Sequence, residues 1–269
     1  MPLIKQFSMF ILMLSFAALV GCQGANSAKT AEESSSAEAE GLAAGEQNTD
    51  DFKSQIADRF KIARGDLVVA DIQPAEAEGV YEVSFKDRGS VYLLGDGQHF
   101  FVGDLYQLQE GRILNVTEQK KNAPRAELMA GISRDDMIVF SPEGEVKASV
   151  VVFTDVDCGY CRKLHREVPR MNELGIEIKY LAYPRAGVGS PSYNKIASAW
   201  CADDRNAALT AIKAGEALEN NVCDGNPVAE QFDIGLKAGL NGTPAIILES
   251  GELIPGYMPA DKLAKTLGI

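Results

Sequence analysis

Two cysteines spaced by two residues, in FTDVDCGYCRKLH at 153–165, constrain this chain more than any other stretch. They stand between the apolar run VVVF at 150–153 and a segment in which Cys161, Leu164, Val168 and Met171 recur at helical spacing. A strand running into a helix predicts Cys158 at an exposed helix start, with Asp155 and Asp157 as candidate caps. First-turn N–H groups lack an intrahelical acceptor, and with the positive end of the helix dipole they favour an anion there. A thiolate at Cys158 is therefore expected to form more easily than in a free thiol, while Cys161, one turn further, is expected on the buried face.

Several chemistries use such a pair. A structural zinc site takes four ligands, and beyond the pair this chain offers only His99 and His165. A c-type haem site has histidine directly after the second cysteine, where Arg162 stands. Redox exchange asks for Cys158 to attack a disulfide and Cys161 to resolve the mixed disulfide that results. A purely structural local disulfide competes with it. The redox reading calls for no cofactor and no metal. Gly159 and Tyr160, between the cysteines, are expected to set the redox poise and to meet substrate.

Disulfides persist outside the reducing cytosol, and the N-terminus supplies a route there. MPLIKQFSMFILMLSFAALVGC has one Lys, then an apolar run over about residues 7–20 that is short for a membrane span. Residues 1–22 read as an export signal. LVGC at 19–22 resembles the bacterial lipobox, which implies cleavage before Cys22, lipidation of its thiol and a lipid anchor; an ordinary secretory signal with a chance cysteine is the alternative. Residues 23–50 are Ser, Ala, Gly and Glu with little to bury, which predicts a disordered acidic tether. The net charge of −12 lacks the cation surplus that a polyanion-binding surface needs, so nucleic acid is excluded as a partner.

With 269 residues and 46% apolar content, the chain has room for one to two domains. Residues 51–121 predict a small, mainly β unit. Phe52, Ile56, Phe60 and Ala63 form a leading helical stripe, Tyr81, Val83 and Phe85 alternate with polar residues, and Asp96-Gly97 marks a hairpin. Such a unit is marginal for an independent core, so burial against a partner is expected. Residues 122–137 read as a linker helix, running over 122–132 with Pro124 early and Leu128, Met129 and Ile132 on one side. Residues 138–269 predict strands near 137–140 and 147–154, a helix from about 158 and a strand at 176–182. A helical stretch over about 192–239, a strand at 245–249, a turn at Ser250-Gly251 and a closing helix from Pro259 complete them. The fold class is α/β (α+β), and the order is that of a thioredoxin-like domain with the long helical stretch inserted.

In that order Thr243-Pro244 falls beside the cysteine pair. A cis bond is expected there, exposing backbone edge groups to an extended substrate strand. Cys201 and Cys223 remain; in an exported protein they most simply pair with each other, a second redox couple being the alternative. His165 is read as a solvent-facing histidine without a role.

FTDVDCGYCRKLH, YLAYPRAG, ASAWCADD, GLNGTPAIIL and LIPGYMPADKL make residues 138–269 resemble the catalytic domain of the DsbC family of bacterial protein disulfide isomerases. GDGQHFFVGDLY makes 51–121 similar, more loosely, to that family's dimerisation domain. The resemblance implies a V-shaped periplasmic homodimer whose cleft holds misfolded, wrongly crosslinked exported proteins, kept reduced by a DsbD-type membrane donor. It also implies that Cys158 attacks, Cys161 resolves, Thr243-Pro244 contacts substrate and Cys201–Cys223 is structural. Two features depart from the pattern. Thioredoxin has a buried Asp six residues before its first cysteine, where this chain has Val152, leaving the proton acceptor unassigned. The lipobox and acidic tether are unlike the usual soluble form. A DsbG-like reductase of oxidised cysteines and a non-redox chaperone are the alternative tasks; Cys201, Cys223 and Thr243 favour the isomerase.

Overall fold

The computed structural model describes residues 49–269. The expected export signal with Cys22, and the tether as far as residue 48, lie outside the described residues.

Helix α1 (Thr49–Ala63) opens with Asp50 and Asp51 in its first turn, where carboxylates complement the helix dipole. Its buried residues, Ile56 and Phe60, pack on an antiparallel sheet in the order β1 (Val69–Pro74), β2 (Val80–Phe85), β3 (Ser90–Leu94) and β4 (Phe100–Phe101). The β3–β4 turn is built by Asp96, whose carboxylate accepts the N–H groups of Gln98 at 2.8 Å and His99 at 3.0 Å, while Gly97 takes a φ of +65°. A separate hairpin, β5 (Tyr106–Gln109) and β6 (Arg112–Asn115), carries Leu108 and Ile113 as cross-strand partners, 84% and 70% exposed.

Two helices follow, α2 (Val116–Lys120) and α3 (Asn122–Ala130). The second is no free connector. Arg125, only 3% exposed, donates to the carbonyls of Ala238 at 3.0 Å and Gly251 at 2.9 Å and to the Glu118 carboxylate at 2.6 Å. Gly251 has a φ of +80°, and a Cβ there would sit 1.8 Å from the Asn122 carbonyl oxygen, so only glycine lets this turn approach α3. Replacing Arg125 by Met orphans two buried carbonyls. We expect it to cost about 2–3 kcal/mol, read as a lower urea midpoint at unchanged slope.

The larger sheet has the order β11 (Leu253–Pro255), β10 (Ala245–Leu248), β8 (Ala148–Thr154), β9 (Ile176–Ala182), β7 (Ile138–Phe140). β8 and β9 are parallel and the other neighbours antiparallel. Strand alternation splits its side chains between two cores. Val150, Val152, Ile178, Tyr180 and Ile246 face one, and Phe153, Leu181, Ala245 and Ile247 face the other, together with Met129 of α3.

A parallel pair needs a crossover, here α4 (Gly159–His165) and α5 (Val168–Glu173). The helix expected from 158 is thus two. Pro169, in the first turn of α5, has no N–H for a continuous ladder. Cys161, Leu164, Val168 and Met171 are nonetheless all buried. The helical stretch expected over 192–239 is likewise three helices, α6 (Pro191–Trp200), α7 (Arg205–Ala214) and α8 (Val228–Lys237). Asp204 restarts the chain by capping α7 through the Ala207 N–H at 2.9 Å, and Gly215, with a φ of +96°, stops it. The non-helical segment from Gly215 to α8 is tied to the end of α6 by a Cys201–Cys223 disulfide, Cα atoms 5.7 Å apart. The cysteines are 22 positions apart in sequence, and replacing both by Ala is expected to cost roughly 3 kcal/mol in the loop-closure account. Denaturant unfolding reads the loss, and proteolysis within 215–227 locates it. Helix α9 (Ala260–Leu267) closes the domain. No helix among the described residues is long and apolar enough to cross a membrane.

Candidate active site

β8 delivers the chain to Thr154, and α4 begins five residues later, at Gly159. The cap of α4 is neither Asp155 nor Asp157, as the sequence suggested, but Cys158 itself. Its backbone is extended, and its sulfur accepts the Cys161 N–H at 3.4 Å. Asp155 is unavailable because it turns inward, 2% exposed. One of its oxygens accepts the Asp157 N–H and the Ser192 hydroxyl, each at 2.8 Å. The other accepts the Arg185 backbone N–H at 3.1 Å and Nε at 2.9 Å. Burial pushes this carboxyl up, but those donors outweigh it and hold Asp155 below its ordinary pKa.

Cys158 and Cys161 are free thiols. Cys158 is 4% exposed rather than open to solvent, a correction with a clear cause. The cis Thr243–Pro244 peptide stands against it, and its S–H donates to the Thr243 carbonyl at 3.3 Å. Burial alone would raise its pKa. Thr243, the Cys161 N–H and the Arg185 charge oppose that, and the net direction is down. Cys161 goes the other way. It is wholly buried, and desolvation raises its pKa against the Lys213 charge, Thr243, the Asp155 N–H and the Thr154 hydroxyl. The site therefore separates an easily ionised outer thiol from a reluctant inner one.

The Thr243 hydroxyl lowers both thiol pKa values, yet it is buried and completes no hydrogen bond at normal geometry. A donor in that state is free to turn to whichever sulfur carries charge. Tyr160 is 65% exposed, and a side chain at Gly159 would meet nothing within 4 Å, so the dipeptide lies open beside the thiols.

His165 is not solvent-facing. It is 7% exposed, with Nδ1 3.2 Å from the Tyr180 hydroxyl and Nε2 3.1 Å from Thr210 Oγ1. Thr210 directs its own proton to the Asn206 carbonyl, so Nε2 carries the imidazole proton and Nδ1 accepts from Tyr180. Burial first, then the nearby Lys213 charge, lowers its pKa to about 3. Sequence carried the signal: position 165 lies four residues after Cys161, on the same helix face. Lys213 went unread altogether. It is 3% exposed, its Nζ donates to Thr154 Oγ1 at 2.6 Å and lies 5.4 Å from the Tyr180 ring centre, and burial lowers its pKa to about 8. A lysine in the last turn of an amphipathic helix ordinarily reads as surface. Val152, where the missing carboxylate would stand, is packed in the apolar core. Among the described residues no group of three or more His, Cys, Asp or Glu side chains converges as a metal site.

A family model described as "Thioredoxin-like domain" matches residues 134–268, and one described as "Disulfide bond isomerase protein N-terminal domain" matches 32–118. The chain is 34% identical to a thiol:disulfide interchange protein DsbC of Escherichia coli K12 over 77% of its own length and 84% of the relative's. With the protein of that name from Haemophilus influenzae it shares 36% identity, over 66% and 75%. A solved disulfide interchange protein from Neisseria gonorrhoeae aligns at 32% identity and a TM-score of 0.46, over 51% of this chain and 96% of that one. On identity sustained across most of both chains, this protein belongs to the DsbC family of thiol:disulfide interchange proteins.

Proposed function

We propose that the chain rearranges wrong disulfides in exported proteins through Cys158. The observation that carries this reading is a free thiol of lowered pKa, fixed between the Cys161 N–H and the Thr243 carbonyl at a helix start. The Cys158 thiolate attacks one sulfur of a substrate disulfide. A Cys158–substrate bond forms, the old bond breaks, and the freed sulfur leaves as a thiolate. If another thiol of the same substrate attacks the mixed disulfide, a new pairing results and Cys158 returns as a thiolate, with no net oxidation. If Cys161 attacks instead, the substrate leaves fully reduced and the enzyme holds a Cys158–Cys161 disulfide. A dithiol donor, of DsbD type in this reading, then restores the thiols.

Homodimerisation through the smaller N-terminal unit, with a cleft for unfolded chains, is part of the same reading. Its support is the exposed apolar set Phe100, Val102, Tyr106, Leu108 and Ile113. Sedimentation of the purified protein at twice the chain mass is the expected result. Periplasmic location rests on the signal-like residues 1–22, and lipidation of Cys22 on the LVGC tetrapeptide alone; mass measurement of membrane-extracted protein tests it.

The functional test is recovery of a scrambled multi-disulfide protein by the reduced chain. It runs beside turnover of a sulfenylated protein and an aggregation assay in which both active cysteines are replaced. Rearrangement as the dominant activity is the expected outcome. Faster turnover of the sulfenylated protein would mark a DsbG-like reductase, and protection from aggregation without rearrangement would mark a chaperone.

A further inference from the structure

We infer that Lys213 is the proton acceptor of the resolving step, taking through the Thr154 hydroxyl the proton that Cys161 must lose before it attacks. The inference rests on the assignment of Cys161 as resolving thiol. A wholly buried thiol cannot hand its proton to water, and the other groups near it are committed. Val152 is apolar and packed in the core. Asp155 accepts four hydrogen bonds and pairs with Arg185. Both ring nitrogens of His165 are engaged by Tyr180 and Thr210.

Lys213 is placed differently. It enters from α7, almost fully buried, with Nζ 2.6 Å from Thr154 Oγ1. Thr154 is itself fully buried, and the N–H of the next residue, Asp155, reaches Cys161 Sγ at 3.5 Å, which brings Thr154 beside the thiol whose pKa its hydroxyl lowers. Thr154 is thus the group that the amine and the thiol share. Thr154 of β8 and Tyr180 of β9 contact the amine, and the titratable and charged groups that interact with it electrostatically are Asp155 after β8, Cys158 at the α4 cap, and Cys161, Arg162 and His165 in α4. An ammonium buried with one hydrogen bond among the described residues, to Thr154, is costly, as is a buried thiolate. Burial accordingly draws the two groups together, lowering the amine to about 8 and raising the thiol. Transfer between them turns two neutral groups into an ion pair, in which the new charges stabilise each other.

In the step itself the fraction of Lys213 that is uncharged, which a pKa of about 8 makes accessible near neutral pH, turns its lone pair to Thr154, and Cys161 gives its proton to Thr154 Oγ1 as Thr154 gives its own to that amine. The Cys161 thiolate attacks Cys158 Sγ of the mixed disulfide. The Cys158–Cys161 bond forms, the Cys158–substrate bond breaks, and the electron pair leaves on the substrate sulfur. The enzyme's two cysteines are oxidised and the substrate sulfur reduced. The lysine proton then passes to the released thiolate or to solvent.

The test mixes the reduced full chain with an equimolar aromatic disulfide that releases a coloured thiolate. The first release reports attack by Cys158, and the second reports resolution by Cys161. In Lys213→Met, the second phase near neutral pH is expected to slow by roughly a hundredfold, the low end for a positioned base. Its pH midpoint should move up, with the first phase retained. A merely structural lysine would not move the pH profile of one phase alone. A second phase unchanged in rate and pH profile would overturn the inference. Should Lys213→Met fail to fold, Thr154→Val breaks the same relay and must show the same selective loss; an unchanged second phase there overturns it equally. A missing first phase in the unsubstituted protein would overturn the exchange reading itself, and this inference with it.

Discussion

Cys158→Ser is expected to abolish disulfide exchange, lowering attack on a model disulfide by at least about a thousandfold, since a hydroxyl without an adjacent base is a weak nucleophile. The substitution is clean. Cys158 is the N-cap of α4, accepting the Cys161 N–H, and serine is among the best N-cap residues. The melting temperature should therefore hold while activity disappears. Cys161→Ala gives the complementary result. Attack survives, resolution does not, and covalent complexes joined through Cys158 accumulate, visible as bands that a reductant removes. Attack without trapping in that variant would show that the inner thiol has no part in release.

The largest loss of stability is expected from Asp155→Ala. The carboxylate is 2% exposed and gathers four donors from three places: Asp157 just before α4, Arg185 after β9 and Ser192 in α6. Removing it leaves two backbone N–H groups and a hydroxyl without an acceptor and frees the Arg185 side chain. We expect about 3–5 kcal/mol, as for other broken buried pairs, measured by urea unfolding of the reduced protein. The sign with pH follows from the direction of the shift. The folded state holds this carboxyl below its ordinary pKa, so its contribution is complete above the ordinary carboxylate range and is lost as pH falls through the depressed value. Stability of the unsubstituted protein should fall more steeply on acidification than that of Asp155→Ala. The variant should also shift Cys158 reactivity to higher pH, because the Arg185 charge that favours the thiolate is no longer fixed beside it.

Much of the larger sheet was legible because β8 carries an unbroken apolar run and in β9 Ile176, Ile178 and Tyr180 recur at every second position. VVVF lies inside β8, and IEIKYLA is β9 from end to end. The Asp96-Gly97 turn was legible because aspartate and glycine have local reasons to be there. The β5–β6 hairpin was not, since its side chains are mostly exposed and no burial imposes alternation on them. Helices over 192–239 merged because apolar periodicity continues across Asp204 and Gly215, whose local bonds decide the breaks. At the site, what sequence spacing could not convey was distance folded up. Cys158 loses its solvent to Thr243, 85 residues away, and Lys213 reaches Thr154 across 59. His165 is a different failure: its place on the Cys161 face was readable, yet the sequence reading sets it facing solvent, although histidine has no strong preference for the surface.

Everything proposed depends on Cys158 ionising more readily than an ordinary cysteine. The direct measurement is the thiolate absorbance of the reduced full chain against pH, with Cys158→Ser as the blank. The account predicts a midpoint clearly below about 8.5, the value of a free cysteine. The reduced chain should also gain stability over the serine variant as pH rises through that midpoint, the sense required of a depressed folded-state pKa. A midpoint at or above the free value would contradict the account.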